Sequence, residues 1–536
     1  MADYTREEFI AKLEEYASAK KALELLEEEE EFEEIEEIVE EEIEVEVEEG
    51  EEGEESSSSE DESIESEKVD EDSSEKEEEK EEEEEKEGEE GEEEEIEEDE
   101  GPDLDLMFLE CDLSQLDLSD IDFLKINLTG ANLQETNLAN ANLSGVTLQE
   151  ANLQKTNLSS ANLSEAILTG SNIQESNLTD CNLQDAKLLG ANFLKANLER
   201  ANLRRAKLNE ANLEGCNLNE TNLIQAEFIR ATLPNAKITN ADLTRAKFSG
   251  CNLKNSDFTD SRLNMAIFFE ANLENANLNR AQMKGSKFFG ANLTEARLPR
   301  VDLTGADLTE AKFHRTDLTR AKLNGAILRR ADLEGSILRE ANLDIADLNG
   351  AKLINVNLKG ANLGRIKLVN ANLKGAKLAN TNLVKAKLTG TDLRESDLSG
   401  ADMTGADLSN AKLENSDLSR TNLSQAILEN TQLENSHLIG SNLMGANLQG
   451  ANLKACNFAG AKLTKAILTK ANLEGANFER ADLEHADLSQ ANLKGSNFTG
   501  AKLADAVLKN SDLTGANLTL ADTEDTDFSG AKGAPK

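Results

Sequence analysis

The stretch that decides the fold is residues 141–163, ANLSGVTLQEANLQKTNLSSANL, in which leucine recurs at every fifth residue. An α-helix rotates by about 100° per residue, so leucines five apart would spread around all of its sides. A β-strand alternates its faces with every residue, so an odd spacing would place successive leucines on opposite faces. Neither element buries this pattern. The sequence therefore predicts a chain that turns a corner every five residues.

The five-residue period continues without interruption from Leu106 to Gly530. We call the large residue of each pentapeptide position i; it falls at every residue number ending in 3 or 8. Of 85 such positions, 84 hold Leu, Phe, Ile or Met, and only Thr523 departs. Position i−2 is usually Ala, Ser, Thr or Cys, and position i−1 is usually Asn or Asp. A repeat of this regularity determines the architecture.

A square coil accounts for this pattern. If each pentapeptide forms one side, four of them make a coil of about 20 residues, and residue n stacks on residue n+20. Positions i and i−2 then point inward, where a bulky i−2 residue would overfill the core. Asn and Asp are expected at the corners, because their side chains bond nearby backbone and tolerate unusual turns. With coils about 4.8 Å apart, about 21 of them would form a rod roughly 100 Å long.

Pentapeptides such as ANLSG, ADLTR and AKLTG follow the pattern A-[DN]-L-x-x, which resembles the pentapeptide-repeat family. The resemblance implies an all-β fold, a right-handed quadrilateral parallel β-helix. It says little about activity, because such a solenoid is a scaffold whose function lies in its outward positions. The predicted organisation has four parts: an amphipathic N-terminal helix within 1–30, an acidic arm over 31–105, the solenoid over 106–530, and a tail over 531–536.

Charge is distributed very unevenly along the chain. Residues 1–100 hold 54 acidic and 8 basic residues, whereas the remainder holds 53 acidic and 47 basic residues. Too few apolar groups lie among the glutamates of residues 27–100 to offset chain entropy, so we expect most of this arm to be disordered. Within the first part, Thr5 and Glu8 predict a capping box at the start of a helix over 5–26. Such an arm beside a nearly neutral body is typical of an interaction tail.

No catalytic constellation emerges from the repeat. The five cysteines all occupy i−2, on coils too far apart for a disulfide or a four-ligand site, and are predicted to be small core fillers: Cys111, Cys181, Cys216, Cys251 and Cys456. The three histidines sit on different coils and form no nucleophile–base pair. We therefore predict a protein that is not an enzyme and has no cofactor, no metal site and no membrane span. The N-terminus has no secretory signal, so a cytoplasmic location is the default.

Two surface patches are candidate contact sites. Phenylalanines at 20-residue steps predict an internal ladder, and beside it lie outward apolar residues flanked by lysines: Ile229, Ile267, Phe269, Phe289, Lys247 and Lys287. An exposed aromatic pair in a polar wall is a candidate protein contact. On the opposite side, arginines at 20-residue steps form a candidate basic stripe that is open to an acidic or phosphate-bearing partner: Arg280, Arg297, Arg300 and Arg320.

The preferred function is a non-catalytic scaffold, a rod whose acidic arm recruits a basic partner protein. Nucleic-acid binding is not expected, because the acidic arm would compete for any basic groove. The alternative is inhibition of a type II topoisomerase by DNA mimicry, an activity that the family resemblance raises. The composition of residues 106–190 supports this alternative, because they carry 11 acidic and 3 basic residues. A third reading is an acidic chaperone acting through residues 27–100. The sequence leaves the oligomeric state open.

Overall fold

The structure is a computed structural model that describes residues 4–22 and 106–534. Residues up to Leu13 group with the chain from Asp105 onward in one compact unit, and Glu14–Leu104 makes a second. The whole predicted acidic arm, residues 31–105, lies outside the described residues, and so does the end of the predicted helix over 5–26. Within them there is one α-helix, α1, over residues 6–22, and it is too short and too polar to cross a membrane.

From residue 106 onward the chain is a β-helical solenoid of parallel one-residue bridges. Residue n pairs with residue n+20 at every fifth position, from Asp112↔Asn132 to Asp512↔Lys532. In a typical pair of coils, the Leu143 amide donates to the Asn162 carbonyl at 2.7 Å, and the Asn162 amide donates to the Ala141 carbonyl at 2.9 Å. The five-residue period and the 20-residue pairing together give each coil four sides, as predicted.

Large and small side chains line the inside of the coils. Position i is fully buried along nearly the whole solenoid, and so are the alanines at i−2. Serine and threonine at i−2 remain buried because the hydroxyl donates to a backbone carbonyl; Thr136 Oγ1, for example, donates to the Leu113 carbonyl at 2.8 Å. Such pairing removes most of the cost of burying a hydroxyl group.

The predicted phenylalanine ladders are present. Phe228, Phe248, Phe268 and Phe288 stack face to face, with ring centroids 4.7–5.0 Å apart and planes within 8° of parallel. A second ladder, formed by Phe458, Phe478 and Phe498, has centroid separations of 4.9 Å. These separations match the distance of about 4.8 Å between neighbouring coils. Each ring therefore has nearly the same orientation as the ring in the next coil.

The corner prediction was only half right. Asn and Asp at i−1 do bond nearby backbone: the Asn142 side-chain oxygen accepts from the Ser144 amide at 3.3 Å. They also form ladders, in which the Asn162 side-chain amide donates to the Asn142 side-chain oxygen at 3.1 Å. However, the residue with unusual backbone is i+2, where φ lies between about 50° and 76° along the solenoid. The turn from i to i+3 therefore resembles a type II turn, and Gly or Asn at i+2 lowers its strain.

Helix α1 covers the N-terminal end of the solenoid through its first half. Phe9 is fully buried, and its ring lies 5.6 Å from both the Phe108 and Phe123 rings. Arg6 donates to the Asp117 carbonyl at 2.8 Å. The predicted capping box is confirmed, because Thr5 and Glu8 exchange hydrogen bonds of 2.7 and 3.2 Å. The segment from Thr5 to Phe9 thus both begins α1 and covers the N-terminal end of the solenoid.

The bulky i−2 residues at the start of the solenoid are buried to different degrees. Leu106 is 57% exposed, Leu116 and Ile121 are half-buried, and only Ile126 is fully buried. At the other end, the inward residues Leu518 and Phe528 are half-buried, unlike their equivalents in earlier coils.

Candidate functional site

One wall of the solenoid carries a groove between two columns of side chains. The first column runs along a corner at i+2, and the second runs along the neighbouring i−1 positions. The groove encloses about 830 Å³, and eleven residues line it: Asp185, Arg205, Gln225, Arg245, Met265 and Gly285, largely from the corner, and Lys207, Glu227, Lys247, Ile267 and Lys287 from the wall. Three of the six predicted contact residues, Lys247, Ile267 and Lys287, are therefore brought together.

The two acids of the groove are already neutralised. Arg205 makes a double hydrogen bond to Asp185, with distances of 2.6 and 2.5 Å, and this bonding holds the pKa of Asp185 below its usual range. Lys247 donates to Glu227 at 2.7 Å and lowers the pKa of Glu227 in the same way. Both carboxylates are thus ionised and paired at neutral pH.

Three cations of the groove remain without an ion pair. Lys207, Arg245 and Lys287 are exposed, and no carboxylate of the described part of the chain lies within ion-pair distance of them. They lie at levels two coils apart, because their numbers advance by about 40 residues. Coils are about 4.8 Å apart, so these positive charges recur about every 10 Å along the groove.

An apolar band crosses the wall between two of these cations. It consists of Met265, Ile267, Phe269 and, one coil further, Phe289. Met265 is 56% exposed, Phe269 37% and Phe289 41%, whereas Ile267 is half-buried. The bridge from Ile267 to Lys287 and the hydrogen bond from the Glu270 amide to the Phe289 carbonyl hold the two coils in register. The predicted aromatic pair is therefore exposed in one column.

The last predicted contact residue lies apart from the band, and one member of the band was not predicted. Ile229 is 36% exposed but lies two coils before Phe269, with Ser249 between them in the same column. Met265 occupies an i+2 corner. The sequence feature that could have identified Met265 is a large apolar residue at a position where the repeat usually has a polar residue or Gly. Gly285 follows Met265 in this column and leaves the corner open, since even an added Cβ would lie 3.9 Å from Met265 Cγ.

Two of the four arginines of the predicted basic stripe are neutralised by carboxylates of their own column. Arg280 pairs doubly with Asp260, one coil before it, and Arg320 donates to Glu340 at 2.8 Å, one coil after it. Arg300 lies between the two arginines and is exposed.

The fourth member, Arg297, belongs to a neighbouring i−1 column and is also exposed. Since exposed ion pairs contribute little energy, the pairing matters mainly because it reduces the positive charge of the stripe. In the described part of the chain, the stripe thus keeps two arginines without an ion pair, Arg297 and Arg300, and the groove keeps three cations.

The structure also brings together one group of possible metal ligands. His314, Asp332 and Glu334 each offer a ligand atom within 4.8 Å of the others. Asp332 is already engaged, because it accepts a hydrogen bond from the Lys352 ammonium at 3.1 Å and lies 3.2 Å from His314 Nε2. The positive charge of Lys352 beside Asp332 would oppose the binding of a metal ion there. The sequence feature that could have identified this cluster is the spacing, because Asp332 and Glu334 follow His314 by 18 and 20 residues, or about one coil.

The cysteines are core residues, as predicted. All five are buried, and none forms a disulfide. Burial raises the pKa of Cys216, Cys251 and Cys456 to about 12 and also raises that of Cys181. The Cys216 thiol donates to the Phe193 carbonyl, which adds a partner in the core. The thiols with a raised pKa are consequently protonated and shielded at neutral pH.

These features define the protein class as a solenoid of stacked five-residue sides. Family models agree: one described as a pentapeptide repeat region matches 105–178, 146–217 and 178–258, and one described as pentapeptide repeats matches segments from 266–305 to 496–532. The matches span most of the chain, which therefore belongs to the pentapeptide repeat family.

Solved structures that resemble the chain include pentapeptide repeat proteins. HetL, involved in heterocyst differentiation regulation in the cyanobacterium Nostoc sp. strain PCC 7120, is 29% identical over 49% of this chain and 90% of its own, with a TM-score of 0.14. A protein of the Arabidopsis thaliana thylakoid lumen is 28% identical over 22% of this chain and 69% of its own, with a TM-score of 0.14.

QnrB1, a plasmid-mediated fluoroquinolone resistance protein, is 18% identical over 40% of this chain and 91% of its own, with a TM-score of 0.24. A search of curated protein sequences gave no match.

Proposed function

We propose that the protein is a non-catalytic scaffold whose solenoid binds a partner protein at the apolar band. The single observation that supports this function is the exposure of Met265, Phe269 and Phe289 side by side on a wall that is otherwise polar. Exposed apolar clusters rimmed by charge are typical of protein contact sites. The regular pairing of n with n+20 supplies a rigid support for them.

Site-specific photo-crosslinking tests this proposal. A photoreactive amino acid is placed at Met265 in the full-length protein, and at Met444 in a matched control. Both methionines are about half exposed, at 56% and 49%, but Met444 lies outside the band. We expect a discrete crosslinked partner in the native cell from position 265 alone. Equal crosslinking from both positions, or none from either, would contradict the proposal.

We further propose that the acidic segment within residues 27–100 recruits a basic partner. Support comes from its charge, since residues 1–100 carry 54 acidic and 8 basic residues. The test replaces 27–100 with a neutral linker of equal length. The start of α1 must be kept, because Phe9 packs on Phe108. If the altered and full-length proteins recover the same partners, the acidic segment has no recruiting role.

Topoisomerase inhibition by DNA mimicry is the less favoured alternative. It relies on the acidic first coils, yet Asp180 and Asp185, at the end of that stretch, are paired with Arg200 and Arg205. The pairing removes two of the charges that would imitate phosphates. A gyrase supercoiling assay with the full-length protein decides between the two functions, because a scaffold leaves supercoiling unchanged.

A further inference from the structure

The groove combines unpaired positive charge with an apolar surface, a combination that selects for a particular ligand chemistry. Lys207, Arg245 and Lys287 supply three exposed cations without an ion pair in the described part of the chain. Met265 and Ile267 lie between the levels of the second and third cations. A fitting partner therefore carries negative charges at both sides of an apolar side chain.

The spacing of the cations matches an extended peptide. The three levels are two coils apart, or about 10 Å, since neighbouring coils are about 4.8 Å apart. An extended peptide in the polyproline II conformation rises about 3.1 Å per residue with three residues per turn, so every third side chain lies on the same face, about 9 Å from the one before it. Acidic residues at every third position of such a peptide would thus face successive cations. An apolar residue between the second and third acids would lie over Met265 and Ile267.

We propose that the groove binds an acidic peptide segment of a partner protein, with acidic residues three apart and an apolar residue between two of them. This inference rests on the scaffold function proposed above and names its partner chemistry. Glu227 and Asp185 remain paired with Lys247 and Arg205, so the peptide needs to displace no existing ion pair. Charge complementarity of this kind governs encounter and register, and the apolar anchor adds to the affinity.

A nucleic acid fits the groove less well. A polyanion carrying phosphates would meet the same three cations, but the chain has a net charge of −52, which repels it over a longer range. A short acidic peptide bears fewer charges and gains from the apolar band. The peptide is therefore the favoured occupant, and an oligonucleotide serves as a comparison ligand.

Fluorescence anisotropy with full-length protein tests the proposal. The probe is a labelled nonapeptide, Ser-Glu-Ala-Ala-Glu-Phe-Ala-Glu-Ser. The two comparison peptides replace either all glutamates by glutamine or the phenylalanine by serine. We expect saturable binding of the probe, weakened by added salt, and loss of binding for the glutamine peptide. The serine peptide should bind at least fivefold more weakly.

Variants locate the binding site. Lys287→Gln should weaken binding about threefold, as expected for one exposed charge, and Met265→Ser at least fivefold. Lys377→Gln and Met444→Ser are matched controls, because Lys377 and Met444 are exposed but lie outside the groove. We expect both controls to bind like the unaltered protein.

Several outcomes would overturn the inference. These are no saturable binding, equal binding of the glutamine peptide, equal losses in the control variants, or tighter binding of a nine-base oligothymidine. Self-association abolished by Lys287→Gln would assign the groove to a second copy. Probe binding seen only after residues 27–100 are replaced by a neutral linker would assign it to this chain's own acidic segment. If the peptide fails while position 265 still crosslinks a partner, the scaffold function stands and the acidic preference falls.

Discussion

Replacing Phe9 with alanine should open the first coils of the solenoid and leave the later coils unchanged. Phe9 is fully buried and packs against Phe108 and Phe123, with ring centroids 5.6 Å away in both cases. Truncating a buried phenylalanine costs about 3–5 kcal/mol, because apolar contacts are lost and a cavity remains. Each coil contacts only its neighbours, so this cost falls on the end coils.

Native-state hydrogen exchange measures this effect locally. The Leu113 and Leu118 amides donate to carbonyls of the next coil at 2.8 and 2.7 Å, so they exchange only when the end opens. A loss of about 3–5 kcal/mol predicts exchange about 150- to 5,000-fold faster over the first coil, with the local opening energy as the upper limit. Phe269→Ala is the control, because that ring is 37% exposed and should not alter protection there. Unchanged exchange in the first coil, or equal loss along the whole solenoid, would refute the end-cap role.

Three other predictions follow from single residues. Ile345 is β-branched at φ 57°, so Ile345→Asn should raise the guanidinium midpoint, with a gain of about 1 kcal/mol; a lower midpoint would contradict the proposed strain. Arg394 holds the pKa of Asp392 below its usual range, so the pair stabilises the fold above about pH 3.9, and this contribution is lost as the pH falls through the folded pKa. Asp392→Asn should therefore lose less stability than the unaltered protein between pH 7 and pH 3. All five cysteines are buried, so a thiol reagent should label none in the native protein and all after unfolding; rapid native labelling would show that the coils open.

The repeat alone predicts the solenoid, because one large side chain in every five must be buried and a square coil is the geometry that buries it. The Phe268 ladder follows from the 20-residue step in the same way. The position of the left-handed residue does not follow. Residues such as Arg280 and Glu270 occupy i+2 although their side chains give no preference for positive φ. The turn imposes that conformation, and the coil pairing stabilises it.

Contacts between distant parts of the chain were harder to predict. The amphipathic stripe containing Phe9 indicates that α1 buries one face, but not that its target is Phe108, about a hundred residues later. Charge pairing could have been read from the sequence, because Asp260 and Arg280 are 20 residues apart. The sequence predicted only part of the groove. Lys247, Ile267 and Lys287 of its i−1 column were predicted, whereas its i+2 column was not. The sequence alone does not show which neighbouring columns enclose space.

Deletions of repeats affect the interior and the outer surface of the coils differently. Every side is lined by one large and one small residue, so removing one pentapeptide after Gly250 would keep this pattern, although it would separate Phe248 from Phe268 in the ladder. All later side chains would nevertheless turn by a quarter of a revolution, and Phe269 would leave the wall that holds Lys247. Removing four pentapeptides would restore the alignment. Gains or losses of whole coils thus conserve a binding face, whereas single-side changes create new surfaces on an interior that keeps its pattern of large and small residues.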